Sequence, residues 1–188
     1  YWYDNNYALP EYLATVNNQL RDLQIFHTIG NHDYDYKAKN DLEAGRPYVN
    51  NIAPAYYSFN LGQVHYVVMD DIDCDSYDGT ISRNYKKRLT NDQLTWLGKD
   101  LMQVDQDIPI ILVMHAQVFY PSQTDGWKID HDAVGTNQLL KLLAGRRTHI
   151  LTGHTHLNFN VTPDDDITGG NDLYEHLSLI HISEPTRR

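Results

Sequence analysis

Thr148-His149-Ile150-Leu151-Thr152-Gly153-His154-Thr155-His156 is the stretch whose reading decides the fold. Thr148 to Thr152 predicts a short strand, and Gly153 directly after it lets the backbone turn sharply and approach a bound ion. His154 and His156 are two apart, so in extended backbone both imidazoles point to one side of the chain. Two imidazoles sharing a face can bind one metal ion or two neighbouring ones. A histidine pair in a surface turn has the same local pattern, so the decision comes from the rest of the chain.

Two other apolar runs end the same way. Ile25 to Ile29 predicts a strand that stops at Gly30-Asn31-His32-Asp33, and Ile110 to Met114 predicts one that stops at His115. Three strands ending in metal-ligand residues would deliver imidazole and amide groups to one edge of one sheet, where open α/β folds place their ligand sites. Asn31 offers a neutral carbonyl oxygen, His32 can bind a metal or transfer a proton, and Asp33 can orient that histidine. Gly-Asn alone is common turn chemistry. Three such ends together argue against coincidence.

The intervening sequence alternates helices with strands. Apolar residues at Tyr12, Leu13, Val16, Leu20 and Leu23 predict a helix over Leu9 to Leu23, with Pro10 tolerated in its first turn. Asp33 to Asn51 is polar and tyrosine-rich and reads as a loop with one helical turn. Tyr56 to Leu61 and Val64 to Met69, joined by Gly62-Gln63, predict a hairpin of the Gly-X type. Asp70 to Lys87 reads as a polar loop. Thr90 is a helix N-cap with Gln93 three residues on, and Leu94, Leu97, Leu101 and Val104 form the apolar face. Phe119 to Val134 reads as a long loop. Thr136 to Leu143 predicts a helix stopped by Gly145.

At 188 residues the chain is one ordinary domain. A formal net charge of -10 and a pI near 5.3 exclude a large basic footprint, so neither duplex nucleic acid nor an anionic membrane is a bulk partner. A small anionic substrate is compatible, because a bound metal supplies positive charge locally. Cys74 is the single cysteine, which rules out an intrachain disulfide and a thiolate cluster. No apolar run reaches the roughly 18 residues of a membrane span. The chain opens Tyr1-Trp2-Tyr3-Asp4, without a start methionine or the pattern of a signal peptide, and reads as part of something longer.

The order and spacing of Gly30-Asn31-His32-Asp33, His115 and Gly153-His154-Thr155-His156 resemble the later motifs of the calcineurin-like metallophosphoesterases, over residues 1–177. The resemblance implies an α/β fold, a four-layer αββα sandwich here partial and lacking its first strands. It implies two divalent transition metal ions in the intact protein, with Asn31, His115 and His154 on the second and His156 on the first. His32 would be the general acid that protonates the departing alkoxide, and Asp33 would orient it. The implied reaction is in-line attack of hydroxide on the phosphorus of a small phosphate ester, either a monoester or a diester. Nitrogen and oxygen ligands suit Mn, Zn, Fe, Co or Ni.

The family's opening motifs, Asp-x-His and Gly-Asp-x-x-Asp, do not occur here. Asp4 lacks the preceding Gly and is not assigned the bridging role, so the fragment alone is expected to be inactive. Tyr56-Tyr57-Ser58-Phe59 and Leu94-Trp96-Leu97 resemble a bacterial branch in which further modules flank this domain, which implies missing upstream and downstream segments and a periplasmic or secreted location. Residues 178–188 resemble a translated sequencing adapter and read as a non-native tail, so His181 is not counted as a ligand. A non-catalytic glycan- or protein-binding domain on the same fold is the competing reading.

Loops that should overhang such a site contain Tyr34, Tyr36, Trp127 and His131, the candidate substrate contacts. Asp70, Asp71, Asp73 and Asp75 lack the spacing of an EF-hand and read as a solvated loop. Arg83, Lys86, Lys87 and Arg88 read as solvated surface, and Asp164-Asp165-Asp166 as a turn before Gly169-Gly170.

Overall fold

The computed structural model describes residues 5–35, 38–74, 85–124 and 126–177. Tyr36, Asp75, Arg83 and His181, singled out above, lie outside the described residues. At the centre is a six-stranded mixed sheet, in the spatial order β1 (Tyr57–Leu61), β2 (Val64–Val68), β5 (Ile110–Ala116), β8 (Thr148–Gly153), β10 (Leu173–Leu177), β9 (Phe159–Val161). The four inner strands run parallel, and β1 and β9 close the edges antiparallel. This is a mixed α/β architecture with a central sheet and helices, as the resemblance implies.

The β1–β2 hairpin forms as its turn chemistry requires. Gly62 takes φ 62° while Gln63 does not enter the positive-φ region, so the single Gly does the turning. Helix α3 (Asn91–Leu101) begins at its expected cap, where the Thr90 hydroxyl accepts from the Gln93 N–H at 3.3 Å. Leu94, Leu97 and Leu101 are buried and Asp92 and Lys99 exposed. α4 (Ala133–Leu143) starts three residues earlier than its apolar spacing indicates, because the Asp132 carboxylate caps Gly135 N–H at 2.8 Å. These two helices pack against each other and, with Val67, Leu112, Ile150 and Leu173 of the sheet, enclose the main core.

Elsewhere the structure corrects the expected elements. Residues 24–30 form no ladder with another described strand; Phe26 stacks on Phe59 at 3.9 Å and the Tyr57 hydroxyl donates to His27 C=O at 2.7 Å. Of the apolar run Ile25 to Ile29 only Ile29 is buried and Phe26 is exposed, so a short apolar run specifies neither full burial nor a ladder partner. The first helix, α1, spans Asn5–Gln19, so Pro10 lies in its interior, and Leu20 and Leu23 are exposed beyond its end. The stretch read as a loop with one turn holds an 11-residue helix, α2 (Asp41–Asn51), capped by the Asn40 side chain on Glu43 N–H at 2.9 Å. β6 (Phe119–Pro121) and β7 (Trp127–Ile129) pair as a hairpin inside the expected 119–134 loop. β3 (Ile72–Asp73) pairs with β4 (Lys86–Lys87) across the expected 70–87 loop. A second core of Ile29, Tyr34, Ala44, Tyr48, Ile72, Cys74 and Ala116 joins these pieces beneath the candidate site.

Candidate metal centre

His115 lies within β5, not after it. The β5–β8 register shifts between Val113 and Ala116, and an irregularity of this kind re-aims the side chain it carries. Asp71 then holds the bulged backbone: its carboxylate accepts from the N–H of His115 at 3.1 Å and of Ala116 at 2.8 Å. Just downstream, the buried Glu175 accepts from Val118 N–H at 2.6 Å, Phe119 N–H at 2.9 Å and the Thr152 hydroxyl at 3.1 Å. Burial pushes the Glu175 carboxyl up to about 7, against the pull of those three donors. Two buried carboxylates therefore pin the segment that presents His115.

Around the His115 ring the expected donors converge. Its Nε2 is 2.7 Å from Asn31 Oδ1 and 3.0 Å from His154 Nδ1. Ligands at about 2.0–2.1 Å from one ion stand roughly 3–3.5 Å apart, so the His154 contact is at that spacing while the Asn31 contact is closer, at hydrogen-bond distance. Burial first, then the neighbouring His154, His32 and His156, lowers the His115 pKa to about 4 although Asp71 opposes them, and burial also lowers that of His154. Both rings are neutral at pH 7, the form a metal requires.

The two glycines of the motifs do different jobs. A Cβ at Gly30 would sit 2.7 Å from His115 Nδ1, so the first glycine is there for close approach. A Cβ at Gly153 would meet only His115 C=O, at an ordinary 3.7 Å. The sharp turn expected of Gly153 is made instead by His154 at φ 73° and His156 at φ 57°, the described non-glycine residues with positive φ. Left-handed backbone on imidazole residues is uncommon and concentrates where a site dictates direction. It also overturns the expectation that the pair shares a face in extended backbone.

His32 and His156 are exposed beside this cluster, close enough to influence the charge of His115. Asp33 closes the turn between them and the core: Gly30 N–H donates to its Oδ2 at 2.8 Å, and its own N–H donates to Gly30 C=O at 2.9 Å. These bonds hold the turn that carries both Asn31 and His32.

Of the loop residues, Tyr34 and His131 do not overhang the site. Tyr34 is buried, with its hydroxyl 2.5 Å from Asp70 Oδ2 and 3.0 Å from Ile72 C=O. His131 is buried with Nε2 3.2 Å from Asp71 Oδ2. Tyr34 turns inward because the buried Asp70 carboxylate needs a donor, whereas His131 Nε2 stays close to Asp71 without making a hydrogen bond among the described residues. Trp127 is half-buried in β7, its indole N–H donating to Asp165 Oδ1 at 2.8 Å.

The solvated reading of the Asp70 to Asp73 loop also fails, since Asp70, Asp71 and Asp73 are all buried. Asp73 pairs with Arg88, and Lys87 with Asp130. Sequence reasoning missed Tyr85 as well, whose hydroxyl lies 3.3 Å from Asn31 Nδ2 and 3.2 Å from His154 Nε2. It carries no motif, so nothing in the sequence marks it.

Among the described residues no group of three His, Cys, Asp or Glu is gathered to hold a metal. The converging set is two imidazoles and an amide, neutral donors that fit part of one metal's shell.

The comparisons bear on which chemistry this geometry serves. No curated protein matches the sequence. A solved structure described as "Structure of PhoD" matches at 12% identity and a TM-score of 0.41, covering 68% of this chain and 29% of its own. This chain thus spans less than a third of that protein's length. The family model for calcineurin-like phosphoesterases matches residues 3–158. That match takes in the segments carrying Asn31, His115 and His154, and with it the chain belongs to the calcineurin-like phosphoesterases.

Proposed function

We propose that the full-length protein is a metal-dependent hydrolase of phosphomonoesters or phosphodiesters, and that Asn31, His115 and His154 hold one of its metals and His156 helps hold the other. The observation that carries this is the meeting of Asn31 Oδ1 and His154 Nδ1 at His115 Nε2, from three segments far apart in the chain. When bound, divalent ions of the Mn, Zn, Fe, Co or Ni group supply positive charge to the phosphoryl oxygens and lower the pKa of water.

The chain's own residues do the rest. Asp71 and Glu175 keep His115 on a fixed backbone, so its ring does not have to reorganise on binding. Asp33 holds the turn that places His32 at the rim, where an exposed imidazole gives its proton to the oxygen of the departing alcohol. Tyr36, Trp127 and the exposed edge of the loops are the proposed contacts for the rest of a small phosphate-ester substrate.

The donor set also limits what these 188 residues do alone. All three converging donors are neutral, and the nearby Asp71 carboxylate is committed to backbone amides. Two divalent ions a few ångströms apart repel strongly unless anionic ligands offset them. We therefore expect the 188-residue chain to take up at most one transition metal, weakly, with negligible turnover of an aryl phosphate.

The test uses the full-length protein with added Mn or Zn on a generic aryl phosphate and diester. Hydrolysis is expected; His32→Ala should cut turnover while largely sparing metal binding, and His154→Ala should lose both. A full-length protein that binds metal yet hydrolyses neither substrate would sink the enzyme reading in favour of a binding domain. Robust metal-dependent hydrolysis by the 188 residues alone would refute the charge argument.

A further inference from the structure

We propose that Tyr85 is a positioning residue that sets the polarity of the metal centre: its phenol oxygen accepts from both Asn31 and His154, turning Asn31 Oδ1 and His154 Nδ1 inward as donors to one cation. The proposal rests on the metal reading above and assigns a role to a residue outside the ligand motifs.

The hydrogen-bond circuit carries the argument. Asn31 Nδ2 donates to Tyr85 Oη at 3.3 Å, which leaves Oδ1 facing His115 Nε2 at 2.7 Å. An amide oxygen only accepts, so His115 Nε2 carries the proton in that contact. The same nitrogen is 3.0 Å from His154 Nδ1, which must then present a lone pair. A neutral His154 with a bare Nδ1 carries its proton on Nε2, and that atom is 3.2 Å from Tyr85 Oη. Tyr85 thus accepts twice, with its ring edge-on to His154 at 5.9 Å and 79°. The half-buried side chain also packs on the second core, so the phenol is held where both donors reach it.

The chemistry follows from this polarity. Were the Asn31 amide reversed, its NH2 group would face the centre and repel a cation. Were His154 protonated on Nδ1, that nitrogen could not ligate. One phenol oxygen blocks both errors, which is how groups behind a ligand commonly fix its tautomer and orientation. In the metal-free chain the proton on His115 Nε2 bridges the two inward-facing acceptors, and that nitrogen has to give it up before His115 can ligate.

The experiment is 15N NMR of the histidine side chains in the metal-free 188-residue chain and its Tyr85→Phe variant, paired with Co(II) titration of both. In the wild type His154 should show a protonated Nε2 and an unprotonated Nδ1. In Tyr85→Phe that signature should become a mixture, and the Co(II) dissociation constant should rise by about 10–100-fold. Merely structural packing would move the unfolding midpoint and leave the tautomer alone. A wild-type His154 protonated on Nδ1 overturns the proposal, as does a variant that keeps both tautomer and affinity. If Tyr85→Phe does not fold, the wild-type tautomer decides by itself. A wild type that shows the expected tautomer but binds no Co(II) counts against the metal reading and supports the orienting role of Tyr85.

Discussion

Replacing Gly30 by alanine places a methyl group 2.7 Å from His115 Nδ1 and 3.0 Å from both Cγ and Cε1 of that ring. To restore ordinary contact near 3.4 Å the imidazole has to retreat by about 0.7 Å, and overpacking of this kind costs about 1–3 kcal/mol. The ring has little room, because Asp71 holds its backbone and Asn31 and His154 sit against Nε2. A site must be held to within about 0.5 Å to work, so the displacement also pulls Nε2 away from its partners and should weaken Co(II) binding at least ~10-fold. Gly153→Ala is the control. Its methyl meets only a carbonyl oxygen at 3.7 Å and its backbone is outside the positive-φ region, so the change should be worth less than about 0.5 kcal/mol or slightly stabilising. Urea unfolding midpoints and metal titrations of the two variants give the comparison. Equal effects at the two glycines would refute the close-approach argument, since both follow apolar runs and only the clash with the His115 ring separates them.

Leu97 is fully buried on α3, so Leu97→Ala should cost about 2–5 kcal/mol in denaturant unfolding; a loss of surface size would show that the helix face was misread. Asn40→Ala removes the cap on Glu43 N–H and should cost about 1 kcal/mol, with no loss meaning that α2 starts elsewhere. Glu175 holds its proton more tightly folded, at about 7, than at the ordinary 4.5. Its contribution is thus complete below pH 4.5 and lost as pH rises through 7, a decline of about 3 kcal/mol. Relative to Glu175→Gln, the wild type should lose that stability between pH 4.5 and 8 in urea melts; a difference that stays flat with pH would contradict the burial of an acid there.

Where one short segment carries both the instruction and its execution, the sequence sufficed. Gly62 turns the β1–β2 hairpin with its own backbone, Thr90 caps α3 with its own hydroxyl, and the apolar runs at Ile110 and Thr148 could only be inner strands of a sheet. The same locality made the motif segments around Asn31, His115 and His154 readable, although the Asn31 segment joins no strand and His115 lies inside β5, so their meeting is set by packing and not by strand ends alone. α2 was legible too, in the Asn40–Glu43 capping pair, but the polar stretch around it, with Gly45 and Pro47 inside the helix, hid it. Other features depend on partners distant in the chain. Residues 25–29 are as apolar as a strand, yet a ladder needs a neighbour in register and none of the described strands supplies one. Asp70, Asp71 and Asp73 look like solvated loop until amides at His115 and Ala116, the Tyr34 hydroxyl and Arg88 arrive to satisfy them. Tyr85 is one tyrosine among 14 until folding sets it between Asn31 and His154. Sequence determined which polar groups stand at the turns this protein brings together, because residue type and local turn chemistry do that. Tertiary structure alone decided which carboxylates and which phenol hold those donors in place, because a buried polar group is stabilised only by the partner that packing delivers to it.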